Sequence, residues 1–402
     1  MAPMKDEPGV PPPLTPTELR DHRWWVERFG IDDPRRGPVH EADPRDLAAT
    51  GWGVVFAPDV GPEVREALQP LLEHRREQAG PYFKVFGYAP GMTKQEFLVA
   101  QKAPPGPADP RHVPYYLLIV GDPRTIPFRF QYEMDVQYGV GRLHFERAED
   151  YANYAQSVVR AETEPPRRPK RLTFFATSHA GDGATETAMN DLVLPLAEVF
   201  TAKRPDWEVR LVAGQQATKG ELGRLMGGPE TPALLFTATH GVSFPADHPR
   251  LLKDQGALLC QEWPGPAAWT GELSPEMWFS ADDVAEGADL LGLVAFHFAC
   301  FGGGALEFDS FTKTPISPPR RSAPFPFVAR LPQRLLSHPR GGALAVVRYA
   351  DLSVELSALW EDRESSLEVS RARFERIWRA THDMRSYVVF GDPAVRVTYR
   401  EG

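Results

Sequence analysis

The strongest constraint on this chain is a repeated unit: a short unbroken apolar run, a glycine or proline stop, then a segment with helical spacing. Trp52-Gly53-Val54-Val55-Phe56 is the first run and ends before Pro58. Tyr115-Tyr116-Leu117-Leu118-Ile119-Val120 is the second and stops at Gly121-Asp122-Pro123. Further runs fall at 171–177, 208–213, 233–238, 291–298 and 343–349. Short runs without polar alternation suit strands buried on both faces. Helical patterns over 62–79, 146–160, 187–202, 219–226, 325–337 and 354–380 separate them. Buried strands alternating with helices imply mainly parallel sheets covered on both faces, an α/β fold of three-layer α/β/α subdomains.

A chain of 402 residues has room for two or three such units at roughly 100–200 residues each. Its 41 prolines are about twice the usual ~5 %, and they punctuate it. Residues 1–45 read as a proline-rich arm and a helix that starts at Thr15-Pro16-Thr17-Glu18 and carries Trp24, Trp25, Val26 and Phe29. An N-terminal α/β subdomain is expected over 46–165, with a joint at Glu164-Pro165-Pro166-Arg167-Arg168-Pro169. Residues 166–402 form the second subdomain. The net charge of −9 offers nothing general to nucleic acid. No apolar run approaches the ~20 residues of a membrane span, and Met1-Ala2-Pro3-Met4-Lys5-Asp6-Glu7 does not read as a signal peptide. The expectation is therefore a cytoplasmic protein without a membrane or nucleic-acid partner.

Two cysteines, Cys260 and Cys300, cannot build a disulfide framework or a four-cysteine zinc site. No segment has metal-ligand spacing, so no metal or cofactor is expected, although loop carboxylates leave calcium open. A G-x-x-x-x-G-K-[ST] loop is absent, which argues against a nucleotide-binding enzyme.

In parallel α/β sheets ligands sit beyond the carboxyl ends of the strands. Run 233–238 is followed by Thr239-His240-Gly241, and run 291–298 by Ala299-Cys300-Phe301-Gly302-Gly303-Gly304. Neighbouring strands lie ~5 Å apart, so adjacency would set an imidazole against a thiol. That pairing is chemically useful: the thiolate is the nucleophile, and an imidazole can take its proton and later return it to a leaving amine. The backbone N–H groups of Gly241 and Cys300 are candidate donors to the oxyanion of a tetrahedral intermediate. Taken singly, the plainer reading is a small core cysteine and a histidine in a turn. Their occurrence at two consecutive core strand ends favours catalysis. Cys260 lies in an irregular insert (245–275) and reads as structural, and His297 reads as a packed histidine. A third group to orient His240 is left open, with His179 and backbone carbonyls as possibilities.

Several of these segments resemble those of caspase-like cysteine peptidases. Pro232-Ala233-Leu234-Leu235-Phe236-Thr237-Ala238-Thr239-His240-Gly241 is similar to their histidine segment. Leu290 to Gly304 is similar to their cysteine segment. Leu117-Leu118-Ile119-Val120-Gly121-Asp122-Pro123, Ile126-Pro127, Val140-Gly141-Arg142-Leu143 and Phe390-Gly391-Asp392-Pro393-Ala394-Val395-Arg396-Val397 resemble the gingipain-like branch. Phe279-Ser280-Ala281-Asp282-Asp283-Val284 is similar to CHAT domains. The resemblance spans roughly residues 50–400. It implies two caspase-like subdomains with the catalytic one second. It also implies Cys300 as nucleophile, His240 as acid/base and the Gly241 and Cys300 amides as the oxyanion hole. The alternative it leaves is a catalytically silent binding module of the same fold.

In that family the loop after the first strand of the catalytic subdomain helps form the specificity pocket. Here the loop, 178–191, holds Asp182, Glu186 and Asp191 and no arginine or lysine. A carboxylate in a pocket selects arginine or lysine, so cleavage after basic residues is expected; the competing role for these acids is to cap the next helix. Lys313-Thr314-Pro315-Ile316-Ser317-Pro318-Pro319-Arg320-Arg321-Ser322-Ala323-Pro324 occupies the position of a caspase activation linker. Arg320 and Arg321 are therefore candidate processing sites in a proenzyme, as against a plain solvated spacer. The expected partners are protein substrates and an upstream activating protease or regulator, in an intracellular regulatory or defence role.

Overall fold

The computed structural model describes residues 37–39, 42–104, 106–308, 320–349 and 387–400. The expected helix around Trp24 and Trp25, residues 313–319 of the expected linker 313–324, and the helix at 354–380 lie outside the described residues.

Fourteen strands are present among the described residues. Ten form one sheet: β1 (Trp52–Phe56), β2 (Phe83–Gly87), β3 (Tyr116–Val120), β4 (Gly139–Leu143), β5 (Arg171–Ala176), β6 (Glu208–Ala213), β7 (Leu234–Ala238), β10 (Val294–Phe298), β13 (Ala345–Tyr349) and β14 (Tyr387–Gly391). Two short antiparallel pairs stand apart, β8 (Leu258–Leu259) with β9 (Trp278–Phe279) and β11 (Gly304–Ala305) with β12 (Phe327–Val328). The sheet order is β2-β1-β3-β4-β14-β13-β10-β7-β5-β6. All pairings are parallel except β13 with β14. The mainly parallel α/β architecture is thus as expected, with one addition. β14 pairs with β4 on one side and β13 on the other, so the sheets of the two halves are joined edge to edge. Because β14 runs with β4 and against β13, the strands of the two halves point in opposite directions.

Polar groups pin the joint where β14 ends. Asp392, fully buried, accepts from Trp52 Nε1 at 2.8 Å and from Arg75 Nε at 2.6 Å. Arg75 also reaches Glu162 at 2.7 Å from the helix Ala148–Thr163. That helix buries Tyr151, Tyr154, Ala155, Val158 and Ala161, the one-face spacing of an amphipathic helix.

Two helices differ from expectation for reasons of proline chemistry. The pattern at 62–79 divides at Leu68 into Pro62–Ala67 and Gln69–Ala79, because Pro70 lacks an N–H and crowds the preceding turn. The helix expected from 187 starts at Gly183. It widens into a π-turn over Ala188–Val193 and resumes at Leu194–Lys203 with Pro195 in its first turn. A π-turn in front of a proline accommodates the missing donor. The pattern at 325–337 is helical only over Arg330–Leu336, since Phe327–Val328 pair as a strand.

Candidate active site

β7 and β10 are neighbours, with Ala238 opposite Phe298. The ladder continues one step further, Thr239 N–H donating to the Phe298 carbonyl at 3.2 Å. His240 and Cys300 therefore leave the same sheet edge from adjacent strands. Their backbones then converge. A Cβ on Gly241 would overlap the Cys300 carbonyl oxygen and lie 2.8 Å from its carbon and 3.2 Å from its nitrogen. Only glycine fits this approach.

Gly241 also forms an antiparallel bridge with Leu258, flanked by Leu259 N–H to the His240 carbonyl (2.9 Å) and Val242 N–H to the Ala257 carbonyl (2.8 Å). This makes Gly241 a non-hydrogen-bonded position of the ladder, so its own N–H points away from Leu258. The turn after Cys300 is strained and braced. Phe301 holds φ at +53° without being glycine, which costs on the order of 1 kcal/mol. The Gly302 carbonyl accepts from Arg348 Nη1 at 2.8 Å, and the Gly303 carbonyl accepts from Ala329 N–H at 3.1 Å. Arg348 is fully buried, and burial pushes its guanidinium down to about 9.

The imidazole of His240 meets Asp182. His240 Nε2 lies 2.7 Å from Asp182 Oδ2, with the histidine side chain 36 % exposed and the carboxylate 10 % exposed. A carboxylate only accepts, so Nε2 carries the proton and Nδ1 is the nitrogen left for proton transfer. Thr185 Oγ1 donates to the same carboxylate oxygen at 3.0 Å. Asp182 comes from the segment after β5, which pairs with β7 on the side away from β10. β5, β7 and β10 thus deliver an acid, an imidazole and a thiol to one edge.

This placement changes what can be said of the acids expected in a specificity pocket. Asp182 faces His240 instead of standing free in the loop. Because the helix begins at Gly183, Asp182 occupies its N-cap position, and Glu186 and Asp191 lie on the helix and its π-turn. Glu186 accepts from Gly181 N–H at 3.2 Å, and both Glu186 and Asp191 are exposed. His179, expected as a possible orienting group, is buried, and that burial pushes its pKa below the usual histidine range. Its ring packs edge-on against Trp263 at 4.7 Å. Trp263 also approaches the His240 ring at 6.1 Å.

Cys300 is half-buried, whereas Cys260 is fully buried and its thiol is pushed up by desolvation. His297 is buried within β10, bonded through Nδ1 to Thr237 Oγ1 at 2.8 Å, and its pKa is driven well below the usual range by desolvation. Arg320 and Arg321 are exposed. Arg321 bridges to Phe308, and the Ser322 and Ala323 amides donate to the Glu307 carbonyl at 2.8 and 3.3 Å. Among the described residues no cluster of three His, Cys, Asp or Glu side chains suits a metal ion, and no helix is long and apolar enough to cross a membrane.

The fold is defined by a mainly parallel ten-stranded sheet with a single antiparallel pairing, β13 with β14, where its two halves join. Solved gingipain structures share this fold. The crystal structure of the Arg-specific cysteine proteinase gingipain R (RgpB) is 14 % identical, with 90 % of this chain and 80 % of that one covered, at a TM-score of 0.54. The complex of the Porphyromonas gingivalis RgpB pro- and mature domains is 13 % identical over 87 % and 80 % of the two chains, at a TM-score of 0.52. A structure described as a protease is 10 % identical over 88 % and 80 %, at a TM-score of 0.51. No family model and no curated protein sequence matches.

Proposed function

We propose that this chain is a cysteine endopeptidase in which Cys300 is the nucleophile, His240 the acid/base and Asp182 the group that holds His240. The observation that carries it is the His240 imidazole anchored through Nε2 to a buried carboxylate while the next residue packs against the Cys300 backbone. His240 Nδ1 takes the thiol proton, and Sγ attacks the scissile carbonyl carbon. The Gly241 and Cys300 amides donate to the oxyanion. The C–N bond then breaks, the amine leaves with the proton from Nδ1, and a thioester remains. Water, deprotonated by Nδ1, hydrolyses it. Asp182 stabilises the imidazolium at both stages.

The reading extends to cleavage after arginine or lysine. The fold it shares with an Arg-specific proteinase supports this, as do the exposed carboxylates of Glu186 and Asp191 on the helix that follows β5. It also includes a cytoplasmic proenzyme with a regulatory or defence role, processed near Arg320 or Arg321. Cleavage there would require opening of the backbone bonds to Glu307. A peptide-library cleavage profile of wild type and Cys300→Ala tests the core of the proposal. Basic P1 turnover by the wild type alone is expected. Activity that survives in Cys300→Ala, or a wild type that neither cuts nor is labelled by a basic chloromethylketone, would overturn it.

A further inference from the structure

The stretch between His240 and β10 contains an insert, 245–275, that the reaction above does not use. Its middle part is held firmly. Leu258 and Leu259 pair with Phe279 and Trp278, and the Gln261 amide donates to the Ala217 carbonyl at 3.0 Å. From this base the insert reaches back over the segment that carries Asp182. The Gln261 side chain makes two bonds to one residue there. Its Oε1 accepts from Ser178 N–H at 3.1 Å, and its Nε2 donates to the Ser178 carbonyl at 2.9 Å.

Two residues on, the Trp263 ring stands edge-on to both His179 (4.7 Å) and His240 (6.1 Å). A Cβ on Gly265 would lie 3.1 Å from the His179 Cβ, so the insert's backbone presses on the same segment. That segment passes the constraint on, since Asp182 N–H donates to the His179 carbonyl at 3.0 Å and His179 N–H to Thr185 Oγ1 at 3.1 Å. Thr185 in turn bonds the Asp182 carboxylate.

We propose that the insert is a splint for the Asp182–His240 pair, with Gln261 and Trp263 as positioning residues. Gln261 fixes the start of the Asp182 segment, and Trp263 walls one side of the imidazole against water. The physical reason is that a charge-assisted hydrogen bond strengthens as solvent is excluded and its partners are held in register. An unsupported six-residue loop between β5 and the next helix would sample positions in which Asp182 is hydrated and turned away. Asp182 bonds the His240 ring directly, and His179, whose pKa burial pushes down, packs on the same Trp263 ring, so the carboxylate is the charge the splint controls. This rests on the peptidase reading for its catalytic consequence, but not for its structural one.

The test separates the two. The Nε2 proton of His240, held between imidazole and carboxylate, should give a low-field proton resonance in the resting protein, assigned by its loss in Asp182→Asn. Gln261→Leu and Trp263→Ala are expected to broaden or abolish it. They should lower kcat on an arginine-ended peptide at least tenfold with KM within twofold, while Trp263→Phe keeps both resonance and rate. Should the first two fail to fold, Gln261→Asn, too short to span both Ser178 groups, is expected to weaken the resonance in a folded protein. A resonance unchanged in the folded Gln261 and Trp263 variants, or absent from the wild type, overturns the splint. An inactive wild type that shows the resonance and its loss in the variants overturns the peptidase reading and leaves the splint standing.

Discussion

Replacing Asp182 by asparagine keeps the side chain's shape and removes its charge. The bond lost is a 2.7 Å contact between a carboxylate 10 % exposed and an imidazole 36 % exposed. A hydrogen bond to a charged group is worth about 1.5–3 kcal/mol. Half-exposure of the ring places this one near the middle of that range, about 2 kcal/mol, which is roughly a 30-fold loss in kcat. The loss grows further where the amide turns its NH2 toward Nε2, because the proton then moves to Nδ1 and the base is lost. The assay is kcat and KM for an arginine-ended and an uncharged fluorogenic peptide from pH 5 to 9. A kcat within twofold of wild type on both peptides refutes the positioning role. A loss confined to KM on the arginine peptide would instead return Asp182 to a specificity pocket.

Gly241→Ala should inactivate the protein although it touches neither the thiol nor the imidazole, because the new Cβ collides with the Cys300 carbonyl. Overpacking of this kind costs about 1–3 kcal/mol, and a variant with wild-type kcat and melting temperature would contradict the convergence. Native protein at neutral pH should take up one iodoacetamide, at Cys300, since Cys260 is fully buried with its thiol pushed up; peptide mass spectrometry showing comparable labelling of Cys260 would contradict this. Stability should fall on acidification. His297 has a folded pKa well below its unfolded value near 6.5, so the unfolded chain binds the extra proton first. Its contribution is fully present above about pH 6.5 and is lost as pH falls toward the folded value, at up to about 1.4 kcal/mol per pH unit. Urea unfolding at pH 7.5, 6.0 and 5.0 should show this slope, reduced in His297→Gln; equal slopes in the two proteins would count against it.

The central strands were legible because a fully buried strand must be apolar at every position. The edge strand β2 was not, since Phe83–Gly87 contains Lys84 and leaves Val85 52 % exposed. β4 was hidden by Arg142, which is buried but donates to Gln131 Oε1 and to the carbonyls of Gly121 and Ile126. Its polarity is neutralised by partners far along the chain. The Gly391-Asp392-Pro393 motif was visible, but its purpose, receiving Trp52 and Arg75 across more than 300 residues, was not. Asp182 stood among the acids noticed after β5, and only its partner was missing. Knowledge that β5 lies next to β7 would have supplied it. Gln261 and Trp263 had no local signal at all.

By itself the sequence determined what local physics controls: which central segments are buried strands, where prolines interrupt helices, and which strand ends carry an imidazole and a thiol. Tertiary structure decided which ends meet. Strand order is set by packing whole layers against one another, and no spacing along the chain encodes it. That order brought β5, β7 and β10 together, placed Asp182 on His240, and laid the insert's Gln261 and Trp263 over the pair.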